Sequence, residues 1–124
     1  MADVNARAWR PEAGPPILAE AAEPMARQAA SFLAASVAGE IDGARVGVTH
    51  VLATPDAGRV YACAVVAGPV RAYLATASGP AGHATRKYIV SYPDAAGAGA
   101  ALDALLTKQK GEGYAPIGTI DGDA

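Results

Sequence analysis

Between Glu23 and Gly39 the apolar positions recur at helical spacing: Met25, Ala29, Phe32, Leu33 and Val37 form one stripe, and Ser36 interrupts it. Pro24 suits the first helical position, where its missing N–H would have no intrahelical partner. Glu23 and Arg27 stand four apart in the favourable order, and Gly39 supplies a stop. After Ala44 the period changes to two. "ARVGVTHVLA" places Val46, Val48, His50 and Leu52 on one face, and "RVYACAVVA" sets Val60, Ala62, Ala64 and Val66 against Tyr61, Cys63 and Val65. "VRAYLATAS" then opposes Val70, Ala72 and Leu74 to Arg71 and Tyr73, and "HATRKYIVSY" opposes Arg86, Tyr88 and Val90 to Lys87 and Ile89. Turn residues separate these runs at "TPDAG", Gly68-Pro69 and Gly79–Gly82, and connections this short join antiparallel neighbours. Asp94 is placed to cap a second helix whose stripe is Ala98, Ala101, Leu102 and Leu105. Lys108 and Lys110 suit the dipole at the end of that helix, and Gly111 closes it. The order predicts an α+β fold: a four-stranded antiparallel sheet with an N-terminal and a C-terminal helix packed on it.

A chain of 124 residues is one domain by length. Residues 1–16, rich in Pro, Ala and charge, are expected to be flexible, residues 17–120 to form the domain, and residues 121–124 an acidic tail. Ala and Gly supply much of the apolar content, while Phe and Trp occur once each, so the core is built from small side chains. The single cysteine, Cys63, excludes an internal disulfide and any multi-cysteine zinc site. The opening "MADVNARAWRPEAGPP" has no apolar signal core and no later run approaches a membrane span, so the expectation is a cytoplasmic protein with no membrane partner.

The net charge of −2 is unevenly spread. Residues 1–43 carry three Arg against six Asp or Glu, whereas residues 44–118 carry seven Lys or Arg against four acids. A basic middle is compatible with an anionic partner, but the excess is small and a solvated mixed-charge surface accounts for it more simply. The residues available for nucleic-acid binding are Arg59, Arg71, Arg86, Lys108 and Lys110, with Tyr73 and Tyr88 as stacking surfaces. Arg71 shares a strand face with Tyr73, and Arg86 shares one with Tyr88. The right register between the two strands would therefore gather two Arg and two Tyr in one patch. The competing reading is a protein-interaction or homo-oligomerisation module using the Ala-rich helix at 24–38, whose stripe is covered either by the sheet or by another chain.

The turn "GPAGH", Gly79 to His83, lacks the GxxxxGK[ST] spacing and the following helix of a phosphate-binding loop, and a hairpin turn explains its glycines. Its setting resembles another family. "GRVYACAVV", this turn, the strand and helix "RKYIVSYPDAAGAGAALDALL" and the closing "KQKGEGY" follow the order of features in the WGR domain of poly(ADP-ribose) polymerases and small bacterial proteins. The resemblance covers residues 58–118. It implies a WGR-like fold and supporting roles for Arg59, Tyr61, Gly79, Gly82 and Tyr114, and together with the basic middle it points toward a nucleic-acid partner. Ala75, Thr76 and Ala77 stand where the family has Trp-Gly-Arg, and His83 where it has Gln, so the roles of those residues do not transfer.

No constellation for catalysis stands out. Cys63 sits mid-strand as a small hydrophobe would, with His50 and His83 as the only imidazoles that could approach it. Capping explains Asp94, turn formation Asp56, and solvated helix positions Asp103 and Glu112. The expectation is a non-enzymatic binding module with no catalytic residues, no metal site and no cofactor.

Overall fold

The computed structural model describes residues 6–12 and 19–122. Its elements are β1 (Trp9–Pro11), α1 (Ala19–Glu40), β2 (Arg45–Val46), β3 (Thr49–Ala53), β4 (Arg59–Ala67), β5 (Ala72–Pro80), β6 (Arg86–Tyr92), α2 (Ala95–Gly111) and β7 (Ala115–Ile120). The α+β class holds, but the sheet has seven strands where four were expected, in the order β1-β7-β3-β4-β5-β6 with β2 also on β4. Every pairing among the described residues is antiparallel.

Three strands escaped the pattern. Trp9–Pro11, expected within a flexible leader, pairs with β7, and Arg10 holds Asp121 through two hydrogen bonds of 2.7 and 3.0 Å. β7 itself, "APIGTI", is too short and too interrupted by Pro and Gly to show alternation, yet it runs between β1 and β3. The run "ARVGVTHVLA" divides into β2 and β3, end to end along β4. At Gly47 the chain passes so close to β4 that an added Cβ would lie 2.8 Å from the Val65 carbonyl oxygen. That break turns Val46 to one face of the sheet, His50 and Leu52 to the other, and leaves Val48 exposed. Residues 1–5 and 13–16 of the expected leader, 17–18 of the expected domain and 123–124 of the expected tail lie outside the described residues.

The helices take opposite faces. β4 shows why: Val60, Ala62, Ala64 and Val66 join the α1 core, while Tyr61, Cys63 and Val65 pack with α2. α1 begins a turn before Pro24 and buries Met25, Ala26, Ala29, Ala30, Leu33 and Val37. It lies on Ala53, Ala62, Ala64, Ala75 and Ala77, and small side chains on both surfaces allow close approach. On the other face α2 contributes Leu102 and Leu105 against Leu52, Cys63 and Leu74. Asp94 caps α2 as expected, its carboxylate accepting from the Gly97 N–H at 2.8 Å. The Glu23–Arg27 pair also forms, at 2.8 Å. Among the described residues no helix is long and apolar enough to cross a membrane.

Candidate functional site

α2 starts where β6 ends and leads into β7, so it must cross the sheet. Its first residues lie near Ala72, and Leu106 and Lys110 lie near Leu52 and Pro116. This path covers the middle of its face and leaves open the corner formed by the start of β4, the end of β5 and the start of β6. Register places Arg59 opposite Pro80, and Tyr61 in line with Ser78 and Arg86 across three strands. The next row is Cys63, Thr76 and Tyr88. With strands about 4.8 Å apart, Arg59 and Arg86 project from the same side about 10 Å apart across the sheet.

Tyr88 is 66% exposed and Val90 49%. Arg86, Tyr88 and Val90 alternate along β6 on this face, and Arg59 and Arg86 are both exposed. Tyr61 frames the corner. Its ring meets Tyr114 edge to face at 5.7 Å, and burial is the main cause of its raised pKa. Lys108 and Lys110 are exposed in the last turn of α2, and Lys110 faces a recess lined also by Glu12, His50 and Thr119.

Arg71 and Tyr73 are not part of this surface. Tyr73 pairs with Ser91, which places it on the α1 face, where it packs partly against the core. Arg71 lies in the turn before β5. The expected four-residue patch is thus split by the register: Arg86 and Tyr88 look out on one side and Tyr73 on the other. Lys87 also points to the α1 side, where it forms an ion pair with Glu40. Helix 24–38, the alternative interaction surface, has its apolar stripe buried against the sheet.

The "GPAGH" turn is committed to structure. The Ala81 N–H donates to the Gly58 carbonyl, that of His83 to Pro80 and that of Thr85 to Ser78. Ala84 is clamped by Gln28 of α1, which accepts its N–H at 2.8 Å and donates to its carbonyl at 3.2 Å. A phosphate cradle needs convergent free N–H groups, and these four are occupied. Gly79 and Gly82 provide the positive φ that the turn requires, +150° and +82°.

Cys63 lies directly opposite His50 across β3 and β4 and is fully buried. Burial pushes its thiol up to about 12, which keeps it protonated and unlike an activated nucleophile. Burial also lowers the pKa of His50, against a smaller opposing attraction from Asp103. Among the described residues no group of three or more His, Cys, Asp or Glu is placed to hold a metal ion. No family model, curated protein or solved structure matches the chain.

Proposed function

We propose that the protein is a non-enzymatic binding module that takes single-stranded nucleic acid on the open corner of the sheet. The observation that carries this reading is Tyr88, two-thirds exposed on a strand one row from Arg86 and facing the side on which Arg59 also projects. An exposed ring offers a stacking surface to an unpaired base, and flanking guanidinium groups attract the backbone. An exposed ring on an open sheet surface stacks on a base that is already unpaired, so a single strand is the better fit. The likeness of residues 58–118 to the WGR domain points toward the same class of partner.

The test is a fluorescence-anisotropy titration with a labelled single-stranded oligonucleotide and its duplex at two salt concentrations. Binding of the single strand is expected to weaken as salt rises. Tyr88→Ala is expected to weaken it by roughly ten-fold, in keeping with one stacked base. Replacing Arg59 and Arg86 together should remove most of the salt dependence, whereas Arg71→Ala should change little. Absence of binding at low salt would overturn the reading.

A further inference from the structure

The two edges of the sheet are built differently. β1 has three residues, ends in Pro11, and has Arg10 engaged with Asp121. Shortness, proline and charge all blunt an edge against pairing with another chain. β6 has seven residues and no proline, and its register with β5 is unbroken from Arg86 to Tyr92. Among the described residues no strand pairs with its far side, which presents a row of backbone N–H and C=O groups flanked by the exposed Tyr88 and Val90.

We propose that β6 pairs antiparallel with β6 of a second copy of this chain, in the register centred on Ile89. A two-fold pairing must set one residue against its own copy if paired side chains are to share a face, and the centre at Ile89 engages all seven residues. Tyr88 then faces Val90 of the second copy, and Val90 faces its Tyr88, an aromatic against a β-branched side chain at two equivalent places. Arg86 faces Tyr92, Lys87 faces Ser91, and no two like charges are opposed. Asp94, just beyond each strand, comes toward the basic start of the other. In-register parallel pairing would instead set Arg86 and Lys87 against their own copies. The arrangement closes at two copies, because β1, at the opposite edge of the sheet, is blunted. Cross-strand partners share a face, so the two open corners would become one continuous surface.

Sedimentation velocity of the full chain without nucleic acid, over a concentration series, tests it. The mass is expected to double as concentration rises. Val90→Lys and, as a second variant, Tyr88→Lys are each expected to weaken association by about ten-fold or more, since each alters two symmetry-related pairs. Val48→Lys, an equally exposed valine away from this edge, should leave it unchanged. Circular dichroism separates lost association from lost folding. Ile89→Cys should form a copy-to-copy disulfide on oxidation, because directly opposed residues lie within bridging distance. The native chain should not cross-link, since Cys63 is buried. A constant monomer mass, a dimer that survives both lysine variants, or an Ile89→Cys chain that does not cross-link on oxidation would overturn the proposal.

Discussion

Tyr73 and Tyr88 belong to adjacent strands and look out from opposite faces of the same sheet, because Tyr73 is paired with Ser91 and Tyr88 with Thr76. Their surroundings differ accordingly: Tyr73 packs partly on the α1 core, whereas Tyr88 is two-thirds in solvent. Tyr73→Ala should lower unfolding stability by about 2 kcal/mol through lost apolar burial, and Tyr88→Ala by less than about 0.5 kcal/mol. Urea unfolding of the two variants, at a protein concentration low enough for the chain to be monomeric, checks this. Equal losses would mean that the faces are wrongly assigned.

Gly118 pairs with Pro11, and its φ of +157° is combined with close approach of β1. An added Cβ would lie 2.6 Å from the Arg10 carbonyl oxygen and closer still to the Trp9 ring. Gly118→Ala should therefore detach β1 while leaving the rest of the sheet folded. The single tryptophan reports this directly: its emission should shift to longer wavelength in the variant, with the far-ultraviolet circular dichroism nearly unchanged.

The Cys63 thiol, buried and held at about 12, has almost no thiolate near neutral pH. Its reaction with a disulfide reagent is expected to be slow in the native protein and to accelerate with added urea as the sheet opens. Rapid stoichiometric labelling under native conditions would contradict the burial of this residue.

His50 is half-buried, and desolvation lowers its pKa in the folded protein below the ordinary value near 6.5. Below that value the unfolded chain takes up a proton before the folded one does, so stability falls with pH. The loss begins as pH passes down through about 6.5 and is complete below the folded-state pKa. His50→Gln should flatten the stability profile on the acid side of about pH 6.5. An unchanged profile in that variant would assign the dependence to other groups.

The α1 core should resist enlargement. Ala29 is fully buried where helix and sheet both present small side chains. Ala29→Leu is expected to cost about 1–3 kcal/mol by overpacking, whereas Ala35→Leu on the exposed side should be nearly neutral. Thermal unfolding of both variants measures the difference.

Local periodicity determined much of this protein. The stripe from Met25 to Val37, the strict alternation of β4, the Asp94 cap and the Gly79–Gly82 hairpin were all legible, because each depends on residues close in sequence and on a repeat of 3.6 or 2. β1 and β7 were not. Each is short and carries Pro, β7 Gly as well, and each becomes a strand through a neighbour distant in sequence: β1 and β7 on each other, and β7 on β3. The break at Gly47 was equally hidden, since it arises from contact with β4. The candidate site shows the same division. Sequence alternation correctly set Arg86 with Tyr88 on one face of β6, but which face looks toward α1 and which toward α2 was decided by register, and register put Tyr73 on the far side from both. A shift of one residue between strands exchanges the faces, and register is a property of two strands packed between two helices.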